Sequence, residues 1–355
     1  MWNVIRPVAL LLVLTTGCEV VNLSGPGADQ GLPELHGKDI AAADVGGSLN
    51  WSPDGRELGF ITSSYRTAQT YRVENGDFRL LFTLDGGQLH EVGLSADGAE
   101  SFTTSSGGTP GRVIRRHSTQ GTITLTNRGT GGVFYSTAEG HAVLPSPTQP
   151  VAAFTALPDS LFHIVRGSAP RLLGTGCLGI IAWSPDESQL LCMSVRDRGG
   201  YAVFRVDGGA STPLALPQNV TRYAQFILWG AAGIQIVFSD VFAARIYDVS
   251  TTRSRTIIPA GSLTESVRMN RMSWSANGAK LAYGSMYCAQ SQGLLGCART
   301  QWILYVSDVQ TGVATRVAVH ADEPVRGGLG SVALSPDASR LAYVMNGRLN
   351  LLDLK

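Results

Sequence analysis

Trp51-Ser-Pro-Asp-Gly-Arg-Glu-Leu-Gly-Phe60 (WSPDGRELGF) reads as a tight turn between two strand-like runs. Ser52 opens a type I turn, Pro53 presets φ, Asp54 takes the third position and Gly55 absorbs the strained exit. The apolar residue before it ends one strand, and alternating apolar positions after it open the next. The same decapeptide returns as WSPDESQLLC from Trp183, WSANGAKLAY from Trp274 and LSPDASRLAY from Leu334. Weaker copies start at Leu94 (LSADGAESF), Pro145 (PSPTQPVAAF) and Trp229 (WGAAGIQIVF).

Each copy is followed by a third strand, such as TYRVENG from Thr70 or YAVFRVDGG from Tyr201, then a turn and a short fourth strand such as RLLFTL from Arg79. Four antiparallel strands repeated in roughly 43 residues predict an all-β, seven-bladed β-propeller. The copied decapeptide then joins the innermost strand of each blade to its second. Six blades are the alternative, if the unit at Pro145 is only a long connection. The last unit ends at Lys355 after three strands, and an unpaired edge there is a liability. The stretch Leu35 to Ala43 is placed to supply the missing fourth strand and close the ring.

These decapeptides resemble the propeller repeat of TolB, a periplasmic protein of the bacterial envelope, over roughly residues 40 to 355. The same repeat occurs in the propellers of prolyl-oligopeptidase-like peptidases and in many bacterial lipoproteins. The resemblance implies the fold. It implies neither parent activity, because this chain lacks the N-terminal α/β domain of TolB and the hydrolase domain of the peptidases.

Composition agrees with many short strands and tight turns: 44% hydrophobic, 15% charged, 42 glycines. A net charge of +1 provides no basic field for nucleic acid or an anionic membrane surface. The first residues differ in kind. Arg6 precedes an apolar run, Val8 to Leu14, that is too short to span a bilayer but suits an export signal. The ending Leu-Thr-Thr-Gly-Cys18 resembles the lipobox of bacterial lipoproteins. Residues 1–17 therefore read as a signal peptide, 18–34 as a flexible Gly/Pro-rich tether behind a lipidated Cys18, and 35–355 as the propeller. The implied location is the bacterial cell envelope, periplasmic or anchored to the outer membrane, with membrane contact by the lipid alone.

Four further cysteines suit an oxidising compartment. Cys288 and Cys297 flank a loop-like insert, AQSQGLLG, and their pairing would close a short loop. Cys177 with Cys192 follows by elimination, although the two stand four positions out of register across their expected hairpin.

Catalytic motifs are absent: no nucleophile elbow, no H-E-x-x-H, no P-loop and no dinucleotide fingerprint. No cofactor or metal site is expected, and Asp54, Asp97, Asp186 and Asp337 read as turn residues rather than ligands. The triplet Arg112, Arg115, Arg116 reads as a solvated blade surface. Topology places the loops between second and third strands, and those between blades, around one mouth of the central channel. Tyr65, Arg66 and Arg196 belong to the former. His90, Glu91, His141, Arg222, Tyr223, His320 and Asp322 belong to the latter. These residues are the expected binding face of a non-enzymatic, monomeric scaffold for an envelope protein or peptide. Two alternatives remain: a metal-dependent lyase or hydrolase using His90, His141 and His320, and a small-ligand sensor.

Overall fold

A computed structural model describes residues 40–74, 77–85, 88–106, 112–129, 141–156, 158–194, 200–230, 232–239, 244–258, 265–292, 296–323 and 328–354. The expected signal peptide, Cys18, its tether and Arg196 lie outside them. The strands form seven four-stranded antiparallel blades. Six inner strands end on the anchor of their decapeptide: Ile40–Trp51, Leu89–Leu94, Val143–Pro145, Cys177–Trp183, Glu265–Trp274 and Leu329–Leu334. The fifth blade's, Ala224–Gly230, runs one residue past Trp229. Each inner strand touches the next, and the last touches the first, so the blades close into a ring. The unit at Pro145 builds a complete sheet with Val151–Ala156, Ser160–Val165 and Arg171–Thr175, which removes the six-bladed alternative.

Strand Ile40–Trp51 serves two blades. Its first residues complete blade 7, Ile40 facing Leu349 and Asp44 facing Arg348. From Val45 onward it pairs with Glu57–Thr62 of blade 1. Register shifts around Gly47 bend the chain from one sheet into the other. The expected closure is thus present, with its pairs reaching Asp44, just past the anticipated Ala43.

The repeated turn is consumed by its own hydrogen bonds. Ser52 Oγ donates to Asp54 Oδ1 at 2.6 Å and accepts from Glu57 N at 2.8 Å, while Arg56 N donates to Asp54 Oδ1 at 3.0 Å. The Ser95–Asp97, Ser184–Asp186, Ser275–Asn277 and Ser335–Asp337 turns repeat the pattern. Each acidic turn residue is an acceptor for backbone and hydroxyl, as a turn requires. The tryptophan has a further task. Trp51 Nε1 donates to Ala333 O at 2.9 Å and Trp183 Nε1 to Leu144 O at 3.2 Å, each reaching the inner strand of the preceding blade.

Apolar side chains gather between blades rather than around one centre. Among the described residues the buried clusters number seven, one for each seam of the ring. The seam of blades 1 and 2 has the smallest, Ile61, Ala68, Leu89 and Val92 with Leu84 against it.

Two expectations are corrected. The insert between Cys288 and Cys297 is a hairpin arm, because strands Lys280–Gln292 and Gly296–Asp308 continue their ladder for thirteen residues each. Within it Cys288 faces Thr300 and Cys297 faces Ser291; their side chains lie outside the described set. The longer third strand also offers more edge to the fourth. His320, expected in a loop, therefore lies in strand Ala314–Glu323 opposite Trp302, and Asp322 lies in the same strand.

Candidate functional site

The expected mouth face is built from inner-strand beginnings and second-to-third-strand turns. In blade 2 a bulge between Leu89 and Glu91 re-aims the start of the inner strand. The Glu91 carboxylate accepts Ala142 N at 3.1 Å and Thr104 Oγ1 at 3.4 Å, and lies 3.7 Å from His141 Nδ1. His141 in turn exchanges backbone hydrogen bonds with Ile180 at 2.7 and 2.8 Å. Glu91 and His141 therefore tie blades 2, 3 and 4 together, and the carboxylate is committed to holding the junction.

The other histidines have separate settings. His90 is half-buried in strand Leu89–Leu94. His320 shares a 3.0 Å hydrogen bond with Tyr343 Oη and packs edge-on against its ring, at the seam of blades 6 and 7. Burial pushes the Tyr343 phenol up to about 12. Among the described residues no group of three His, Cys, Asp or Glu side chains could hold a metal ion. The three histidines stand on three different blade elements, with Glu91 beside His141 and Tyr343 beside His320.

Tyr65 and Arg66 occupy the turn between the second and third strands of blade 1. Tyr65 is 44% exposed and holds φ at 56°, an unusual conformation for a bulky residue. Its amide donates to Thr62 O at 2.9 Å, and its carbonyl accepts Leu89 N of blade 2 at 2.6 Å. The strained backbone is thereby fixed by a neighbouring blade. Arg222 and Tyr223 lie in a six-residue helix, Gln218–Tyr223, rather than a loop, anchored by buried Val220 at the seam of blades 4 and 5.

Two of the three arginines differ from their expected solvated state, and the side chain of Arg112 lies outside the described set. Arg115 Nη1 donates to Ser105 Oγ at 2.9 Å, and the Arg116 side chain is only 12% exposed. Strand alternation turns these two residues to opposite faces of blade 2, each against a neighbouring blade. Three arginines within five residues of a strand gave no sign that the blade is covered on both sides.

Ring closure, seven seams and inner strands bordering a central axis define a seven-bladed β-propeller. Solved structures agree. The β-propeller domain of Myceliophteria thermophila Cps50 (Swd1) superposes with a TM-score of 0.56 at 12% identity, covering 89% of this chain and 99% of that one. A chain of the mitotic checkpoint complex superposes with a TM-score of 0.55 at 14% identity, covering 86% and 89%. At such identities the likeness concerns the fold alone. No family model matches the sequence, and no curated protein sequence matches it.

Proposed function

We propose that this chain is an exported envelope lipoprotein whose propeller binds another protein or a peptide at the channel-mouth face, without catalysing a reaction. The observation that carries the reading is Tyr65: a large exposed aromatic held in a strained, pre-set conformation by an adjacent blade. Rigid aromatic anchors lose little entropy on binding, and such residues dominate interface energetics. The closed ring supports the same reading, since a stiff scaffold with variable loops suits recognition. The second similar structure belongs to a protein assembly, which agrees with a protein partner. Membrane attachment through Cys18 rests on the Leu-Thr-Thr-Gly-Cys18 ending and on the resemblance to TolB-type lipoproteins.

Two measurements test this. Replacing Tyr65, Arg196, Arg222 and Tyr223 together by alanine is expected to remove the partners that the native protein captures from envelope extract. An unchanged set of captured proteins rejects the mouth as the binding face. Cys18→Ser is expected to release the protein from the membrane fraction, and continued sedimentation with membranes rejects the lipid anchor.

A further inference from the structure

In the seam of blades 1 and 2 several buried polar groups do not satisfy one another. Thr70 lies in the third strand of blade 1, Thr67–Glu74, and Ser101 in the second strand of blade 2, Glu100–Ser106. Both are buried, and neither hydroxyl has a hydrogen-bond partner. Glu57, 2% exposed, accepts Arg72 Nη2 through Oε1 at 2.7 Å, while its Oε2 is unpartnered. Arg72 Nε is likewise buried without a partner, and Glu74 Oε1 is 4.0 Å from it, too far for a hydrogen bond. Such atoms are costly unless something answers them.

Packing brings these groups to one interface. Gly59 pairs with Thr70 and Glu57 with Arg72, so alternation turns all four residues to the same face of blade 1. That face meets blade 2: a Cβ at Gly59 would touch Leu94, the strand partner of Ser101, and a Cβ at Gly98 would collide with the Glu57 carboxylate. Thr70 and Ser101 therefore stand at the same level of the seam. The seam also has room. The tenth residue of the repeat packs toward the preceding blade, and it is Phe60, Phe154, Tyr283 and Tyr343 in blades 1, 3, 6 and 7. Blade 2 has Thr103 there and Ser101 two residues before it, and Gly59 adds no side chain from the other side.

The unpartnered atoms select what fits between them. Arg72 Nε only donates, the Glu57 carboxylate only accepts, and each hydroxyl does both. A metal cation cannot accept the N–H, and an anion cannot donate to the carboxylate. We propose that the seam of blades 1 and 2 encloses ordered water bound by Thr70, Ser101, Glu57 and Arg72, closing with solvent an interface that four other seams close with aromatic rings. The water site shares no residue with the mouth.

The test is a crystal structure of the full chain at a resolution that shows ordered solvent, together with two substitutions that remove a hydroxyl and little else. Water density within about 3.2 Å of at least two of the four atoms is expected. Thr70→Val and Ser101→Ala should each lower the thermal midpoint, by about 1–3 °C, because each strips the bound water of one partner. The double variant should fall by less than the sum, since both hydroxyls hold the same solvent. A dry seam has the opposite sign, because deleting an unanswered buried hydroxyl raises the midpoint. Missing solvent density, an ion in its place, a direct Thr70–Ser101 hydrogen bond, a rise in either variant's midpoint, or additive falls would overturn the proposal.

Discussion

At the turn of blade 3 the motif has lost its acid: Thr148 stands where Asp54 stands in blade 1. The missing acceptor arrives from the next blade. Glu187 Oε2 accepts Ser146 Oγ at 2.6 Å and its Oε1 accepts Thr148 N at 2.8 Å. Glu187 occupies the fourth turn position of blade 4, where glycine is usual, and holds φ at 56° to do so. Ala338 holds 59° at the same position of blade 7 with no polar side chain to justify it. The two residues should therefore respond oppositely to glycine. Ala338→Gly relieves a left-handed Cβ and should raise stability by about 0.5–1 kcal/mol. Glu187→Gly relieves the same strain but takes the acceptor from the buried Ser146 hydroxyl, and should lower it by about 1–2 kcal/mol. Denaturant midpoints at unchanged slope would report both, and a shared sign for the two variants would refute the account. The turn itself was legible from Ser, Pro, Asp and Gly. Its repair in trans was not, because residues 39 apart in sequence carry no local mark of meeting in adjacent blades.

At the scale of one strand pair, Cys177 and Cys192 show what periodicity conceals. Trp183 faces Leu190, and an unbroken ladder from there would leave the cysteines four positions out of register. Two bulges, between Ile180 and Ala182 and between Cys177 and Gly179, each absorb a residue, so Cys177 comes to face Ser194. An offset of two keeps both side chains on one face of the sheet, and the Cα atoms are 5.5 Å apart in the disulfide. Bulges recur in the inner strands of blades 1, 2, 5, 6 and 7, near the channel. Strand existence was thus readable from alternation, whereas register near the axis was not. The bridge closes 15 residues of sequence separation, for which chain entropy predicts about 3 kcal/mol. Replacing both cysteines by alanine should lower unfolding stability by about that much, less any cavity cost, with the ladder intact by circular dichroism. Loss of under about 0.5 kcal/mol would mean that the bulged register, rather than the covalent link, holds this edge.

The whole ring is only as strong as its poorest seam, and the seven seams differ. Phe102 and Ile114 of blade 2 pack toward blade 3, but the alternate residues Ser101, Thr103 and Ser105 are buried hydroxyls on the other face. They explain why the cluster between blades 1 and 2 is the smallest, and no repeat period would have marked that interface as polar. His117 belongs to this polar face. It shares hydrogen bonds with Thr103 Oγ1 at 2.8 Å and Thr122 Oγ1 at 2.9 Å. Desolvation, aided by the charge of Arg115, lowers its pKa from 6.5 to about 4. Because the folded value is depressed below the unfolded one, the neutral ring's contribution is complete above pH 6.5. It is lost progressively as pH falls through the interval down to about 4. Protonation adds a second cation beside Arg115 in the seam with the smallest apolar cluster among the described residues. Hydrogen exchange in strands Glu100–Ser106 and Arg112–Ser118 should therefore accelerate between pH 6.5 and 4, after correction for intrinsic rates, while blade 7 stays protected. His117→Gln, which cannot titrate, should flatten that pH response. Acid opening that begins equally in all blades, or that persists unchanged in His117→Gln, would show that the ring yields as one cooperative body and that the seam of blades 1 and 2 has no special weakness.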